Sequence, residues 1–305
     1  MKKLLLAVVT VLGVFVLVAC GGGESTGLYD DDGNEITELR IGLLIDEGNP
    51  EAGRASSAFR DAMSEAIGIP VVEIEGVSHL IGLEAMRGGS LDLMVASGFT
   101  FLTAEQMQLE VEFLAMQHNP DAEPASTVFI TAAENTHIQT IADFEGESFA
   151  FVDTASMTGF LLPMYELVST LDRDHTQMLN PGYFFSATIL SGAHDASVMA
   201  AANGDVAGAA VVSVFVDNVI ASGIIDEDSI RIVHALEPQG SGGYMVRSSL
   251  PQSLIDDLRT FLLEFDDEEF FATIQGSPNA RFIPHDPAEL THLRSLMERL
   301  EIGQE

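Results

Sequence analysis

Cysteine and lysine are nearly absent from this chain of 305 residues: the one thiol is Cys20, and Lys2 and Lys3 are the only lysines. A single thiol excludes an internal disulfide framework, a thiolate metal cluster and, where Cys20 is capped, a cysteine nucleophile. From residue 20 onward eleven arginines face 47 acidic residues, a formal charge of −36. That field opposes nucleic acid and anionic bilayers as partners. The eight histidines show no His-Glu-x-x-His or similar spacing, so no metal site is expected. Also missing are a Gly-x-Ser-x-Gly elbow, a Walker loop and a Gly-x-Gly-x-x-Gly turn after a strand. No cofactor, no catalytic residue and no enzyme is expected.

What is present begins with an export signal. Behind Met1-Lys2-Lys3, residues 4–19 are apolar or small apart from Thr10. About sixteen such residues fall short of the roughly twenty that span a bilayer and suit a processed leader better. Its end, Leu17-Val18-Ala19-Cys20-Gly21, resembles the lipobox of bacterial lipoproteins. That resemblance implies acylation of Cys20 and a domain held at the outer face of the cell membrane or in the periplasm. Residues 1–19 are then the signal peptide and residues 20–38, rich in Gly, Asp and Glu, a flexible tether.

With 47% hydrophobic residues, the remainder can bury one or two ordinary cores. Short apolar runs alternate with amphipathic stretches. Strands are expected at 39–45, 71–74, 91–96, 111–116, 127–131, 148–152, 183–185, 206–212, 230–235 and 244–247, and helices at 52–66, 79–87, 158–171 and 195–202. After residue 247 only helices are expected, at 251–264, 268–274 and 287–300, with Pro251 and Pro287 in first-turn positions. This alternation predicts an α/β fold of two lobes, residues 39–127 with 236–305 and residues 128–235, with two crossings and a ligand cleft between them.

Two segments carry candidate chemistry. In Phe151-Val152-Asp153-Thr154-Ala155-Ser156-Met157-Thr158-Gly159 an apolar strand runs into small hydroxyl residues and then a helix. The hydroxyls of Ser156 and Thr158, with first-turn N–H groups pointing the same way, suit a tetrahedral oxyanion; alternatively Ser156 simply caps the helix. In Ser191-Gly192-Ala193-His194-Asp195-Ala196 a glycine turn feeds a second helix, with His194 in its first turn. The helix terminus favours a neutral imidazole there, able to donate to an anion.

Together with Thr140-Ile141-Ala142-Asp143-Phe144-Glu145-Gly146, these segments resemble the phosphate/phosphite/phosphonate-binding proteins of ABC importers, the PhnD-like family, over roughly residues 39–300. The resemblance implies the type II periplasmic-binding fold, each lobe a mixed sheet flanked by helices, that closes over its ligand. It also implies that Ser156, the N–H of Met157, Thr158 and His194 hold the oxyanion. Where relatives carry tyrosines, this chain has His79 and Phe101, so His79 and Thr100 are the expected replacements, with Phe99, Phe101 and Met157 lining an apolar side. Ser213 and Gly242 fall where aminophosphonate binders place acidic residues, which disfavours an amine-bearing ligand. The expected ligand is phosphite, phosphate or a simple alkylphosphonate, and the expected partner is an ABC permease, with the receptor itself a monomer. The alternatives are the same fold serving another oxyanion or an organic acid, or a sensory subunit of a membrane kinase.

Overall fold

The structure is a computed structural model that describes residues 28–31, 33–43, 50–121, 125–237 and 242–300. The expected signal peptide, Cys20 and the expected tether as far as residue 27 lie outside the described residues.

The first lobe is built on a six-stranded mixed sheet. Its strands are β1 (Leu39–Gly42), β2 (Val71–Glu73), β3 (Leu93–Ala96), β4 (Val111–His118), β10 (Gly243–Arg247) and β11 (Arg281–Ile283), in the order β11-β4-β10-β3-β1-β2. Here β1, β2 and β3 run parallel, β10 runs antiparallel between β3 and β4, and β11 pairs antiparallel with β4 at the edge. Helices α1 (Pro50–Ile67), α2 (His79–Arg87), α3 (Gly98–Gln106), α7 (Gln252–Glu264) and α8 (Glu268–Gln275) flank it. Phe59 of α1 is the hub of this core, stacked on Phe270 at 4.7 Å and ringed by Tyr244, Phe261, Phe265 and Phe282.

The second lobe carries a five-stranded sheet of β5 (Thr127–Ala132), β6 (Ser148–Phe151), β7 (Ala187–Leu190), β8 (Gly208–Val212) and β9 (Ile230–Ala235), in the order β7-β6-β8-β5-β9. Its helices are α4 (Leu162–Leu171), α5 (His194–Ala202) and α6 (Ser213–Ala221). Phe129, Phe144, Phe149, Phe151 and Phe185 fill its core. At Gly208 a Cβ would stand 2.1 Å from the Phe144 ring, so only glycine lets β8 pass beside it. The chain crosses between lobes from β4 to β5 and from β9 to β10. The closing helix α9 (Ala288–Arg299) seats Leu290 and Leu293 against α3, while Arg299 donates to the Tyr165 hydroxyl of α4 at 2.8 Å. It therefore straddles both lobes instead of belonging to the first.

Three expectations need correction. The described part of the proposed tether is docked: Ile36 is buried, Leu28 packs on the first-lobe core, and the Asp31 N–H donates to the Ser249 carbonyl at 2.9 Å. The strand expected at 183–185 is instead a turn whose Phe184 and Phe185 enter the core, and the strand lies at Ala187–Leu190. The C-terminal tail also contains β11, besides its helices.

At the starts of β1 and β3 lies a buried ion cluster. Asp92, fully inaccessible, accepts a bidentate pair of bonds from the Arg40 guanidinium (3.0 and 3.0 Å), one from the Arg40 N–H (2.8 Å) and one from Arg247 Nε (2.8 Å). Asp30 of the docked segment stands 3.6 Å from Arg247.

Candidate functional site

In parallel strands the chain leaves at the carboxyl ends, and the loops there are the usual place for a ligand. In the first lobe these ends deliver Ser78-His79 and Ser97 to Thr100. In the second, β6, β7 and β8 deliver Asp153 to Thr158, His194 and Val212-Ser213. Five helix starts thus face one cleft. A cavity of ≈ 500 Å³ lined by Asp30, Arg40, Arg87 and Arg247 lies at the opposite ends of the strands, beside the ion cluster, and contains none of these loop residues.

The first-lobe half is organised by a capping box on α3. The Ser97 hydroxyl accepts from the Thr100 N–H (3.1 Å), and Thr100 Oγ1 accepts from the Ser97 N–H (3.3 Å). The Thr100 hydroxyl proton crosses the cleft to the Ala155 carbonyl oxygen (2.9 Å). With that proton committed, Oγ1 accepts from His79 Nδ1, 3.3 Å away. A neutral His79 that donates this bond carries its proton on Nδ1 and presents Nε2 as an acceptor. Burial pulls the His79 ring below its ordinary pKa, and the Asp153 carboxylate pulls it the other way.

The second-lobe half has the opposite polarity. The Val212 N–H donates to His194 Nδ1 at 3.2 Å, which places the proton of the neutral ring on Nε2, 3.3 Å from Thr158 Oγ1. Phe215 of α6 stacks on the imidazole, with centroids 5.0 Å apart. Burial, aided by the nearby His79, lowers the His194 pKa to about 3. The ring is thus a neutral donor through the physiological range.

Asp153 bridges the lobes. Buried in the loop after β6, it accepts from the Ala155 N–H through Oδ1 (2.8 Å) and from the Leu80 N–H, in the first turn of α2, through Oδ2 (3.1 Å). Ser156 Oγ accepts from the Gly159 N–H (3.1 Å), and the Leu161 N–H reaches back five residues to the Ser156 carbonyl, opening α4 through a wide π-helical turn. Gly159 is required there, since a Cβ would lie 2.3 Å from Val152.

The structure thus groups His79 with Thr100, and Thr158 with His194. Ser156 is a buried cap, the plainer of the two roles its sequence position allowed. The Met157 side chain belongs to the apolar core, leaving its backbone N–H as its polar group. Phe99 is buried in that core, and Phe101 stacks on Phe113 at 4.7 Å. Neither ring fits the apolar ligand-facing side expected of it. Ser213 Oγ accepts from the Ser126 N–H (3.3 Å) at the crossing. The polar roles of Asp153, Ala155 and Val212, and the stacking of Phe215, have no sequence signal beyond Asp153 heading its loop. Among the described residues no group of His, Cys, Asp or Glu is placed to hold a metal, and no helix is long and apolar enough to cross a membrane.

An acid titration tests the His194 environment. Its folded pKa is depressed below the ordinary 6.5, so the neutral buried ring contributes stability that is full above about 6.5 and lost as the pH falls toward about 3. Melting temperature should fall more steeply between about pH 6.5 and 4 in the wild type than in His194→Gln. Equal slopes would contradict this environment.

Two α/β lobes joined by two crossings, with facing helix starts, define a solute receptor that encloses a small ligand. The profile of the ABC transporter phosphonate periplasmic substrate-binding proteins matches residues 41–290, and the chain belongs to that family. It is an exported solute-binding component of an ABC importer. It is 25% identical over 267 residues to the phosphate-import protein PhnD of Mycolicibacterium smegmatis, covering 83% of this chain and 81% of that one. In fold it is similar to the binding-protein component of a Pseudomonas aeruginosa ABC phosphonate transporter (TM-score 0.74, 16% identity, 88% of this chain and 87% of that one). It is also similar to PhnD1 of Prochlorococcus marinus, solved in complex with methylphosphonate (TM-score 0.70, 15% identity, 87% and 98%).

Proposed function

We propose that the ligand is a small phosphorus oxyanion, phosphite, phosphate or a simple alkylphosphonate, held by Thr158, His194 and the Met157 N–H, with His79 facing it from the first lobe. The receptor closes on it and passes it to the permease, making and breaking no bond. The observation that carries this reading is the Thr158–His194 donor pair on one lobe facing His79 and Thr100 on the other. A ligand closes such a cleft only by touching both sides, because one that binds open and closed states equally shifts nothing.

Dipoles suffice in a site without lysine. Charge-assisted hydrogen bonds contribute roughly 1.5–3 kcal/mol each, so five or six can outweigh desolvation and ordering and reach a micromolar constant, about −8.2 kcal/mol. Uncharged Ser213 and Gly242 support a ligand without an amine. The lipobox supports a lipid on Cys20 that keeps a monomeric receptor beside its permease.

A thermal-shift screen with phosphite, phosphate, methylphosphonate, aminoethylphosphonate and sulfate tests the ligand class, since a ligand that binds only the folded state stabilises it by mass action. One or more of the first three should raise the melting temperature; a shift with none of them would overturn the reading. Affinity should also rise with ionic strength. At about 0.15 M salt the screening length is about 8 Å, so the repulsion by the acidic surface becomes local. Tighter binding at low salt would contradict that electrostatic account.

A further inference from the structure

The polar groups of the cleft are not all donors. Asp153, 5% exposed, brings a carboxyl group to it. A carboxylate offers about four lone-pair positions, and two of these are taken by the Ala155 and Leu80 N–H groups. Beside it, a neutral His79 whose Nδ1–H donates to Thr100 Oγ1, the Thr100 proton going to Ala155, presents Nε2 as an acceptor. Among the described residues, the titratable groups facing His79 are Asp153, on the loop after β6, and His194, at the start of α5. From α3 the ring meets Thr100, backed by Ser97, and neither titrates. One side of the cleft therefore presents donors, Thr158 and His194 Nε2–H, and the other presents two acceptors, one of them anionic. No lysine or arginine is among the residues that form it.

A fully deprotonated dianion fits the donor side but meets unshared acceptors and a like charge on the other. An oxyanion that brings a proton satisfies both, through a P–OH donating to Asp153 or His79, or through the same proton resting on His79 and donating back to the ligand. Building on the ligand class proposed above, we infer that this site binds its oxyanion together with one proton shared with Asp153 and His79, and that the carboxylate of Asp153 is what excludes sulfate. A phosphoryl group can supply this proton because its second ionisation falls near neutrality, at about 6 in phosphomonoesters, whereas sulfate has none to offer at such pH. Like-charge juxtaposition of this kind costs several kcal/mol, which makes it an effective discriminator.

The test is calorimetric titration of the purified protein with inorganic phosphate, methylphosphonate and sulfate, in pairs of buffers that differ in ionisation enthalpy. At about pH 8, where a phosphoryl ligand is mostly dianionic, binding should take up about one proton per ligand; at about pH 5 uptake should approach zero, since the ligand arrives protonated. Sulfate should not bind. In Asp153→Asn, sulfate affinity should rise by about a hundredfold, the scale of a relieved like-charge contact, and proton uptake should fall. Phosphoryl binding without uptake at the higher pH, or sulfate binding comparable to phosphate in the wild type, overturns the inference and leaves the ligand class standing. Unchanged sulfate exclusion in a folded Asp153→Asn does the same. If that variant does not fold, the wild-type proton count decides by itself. Failure of every phosphorus oxyanion to bind overturns the ligand class and this inference with it.

Discussion

Replacing Asp92 by alanine is expected to lower the unfolding free energy by about 3–5 kcal/mol, the cost of breaking a buried ion cluster by removing one partner. Asp92 is wholly inaccessible and neutralises two arginines at once, Arg40 through a bidentate pair and Arg247 through Nε. Without it, Arg247, 6% exposed, keeps only the more distant Asp30 as a counter-charge. The Arg40 N–H loses its acceptor as well. An uncompensated charge of this kind is far costlier than the loss of an exposed ion pair such as Arg54–Glu51, worth about 0–1 kcal/mol. Urea unfolding of the two proteins side by side measures the difference. A loss under about 1 kcal/mol would mean that water reaches the cluster and solvates the arginines.

Replacing His194 by alanine is expected to weaken ligand binding by about 10–150-fold, the equivalent of one charge-assisted hydrogen bond of roughly 1.5–3 kcal/mol. The ring is held before any ligand arrives. The Val212 N–H fixes its tautomer, Phe215 fixes its plane, and Thr158 lies against its Nε2. Binding therefore spends little on ordering the side chain, and most of the bond appears as affinity. Thr158→Ala should weaken binding on the same scale. The double variant should lose less than the sum of the two single losses, because residues that touch are coupled. Calorimetric titration of all four proteins with the ligand found in the thermal screen measures this cycle. Full affinity in both single variants would take the anion away from this pair.

Much of this organisation was legible along the chain because it rests on local periodicity. The alternation of apolar runs and amphipathic helices marked both lobes, and the small-residue loops before His194 and Gly159 marked the cleft. The elements that escaped notice did so for identifiable reasons. Helix α3, Gly-Phe-Thr-Phe-Leu-Thr-Ala-Glu-Gln, buries Phe99, Leu102 and Ala104 and is covered by α9, so it lacks the polar face that gives a helix its period. Helix α6 opens on Ser-Val-Phe-Val directly after β8, and its β-branched residues give little helical signal. Strand β11 has three residues, too few to show alternation. Phe99 and Phe101 looked suited to an apolar wall because a sequence shows hydrophobicity and not direction; their neighbours turned one into the core and the other onto Phe113.

Read alone, the sequence determined the acidic charge, the absence of lysine and thiol chemistry from the folded domain, the α/β alternation and the two loops that face the cleft. These follow from composition and from contacts within a few residues. Only the tertiary structure decided where the protons sit. The tautomer of His79 depends on Thr100, 21 residues away, and through it on Ala155, 55 residues beyond Thr100. That of His194 depends on the backbone of Val212, 18 residues on. Asp153 meets the α2 N-terminus across 73 residues. A hydrogen bond has direction, and an imidazole is donor or acceptor only relative to the atom opposite it; that atom is supplied by the packing of one lobe against the other.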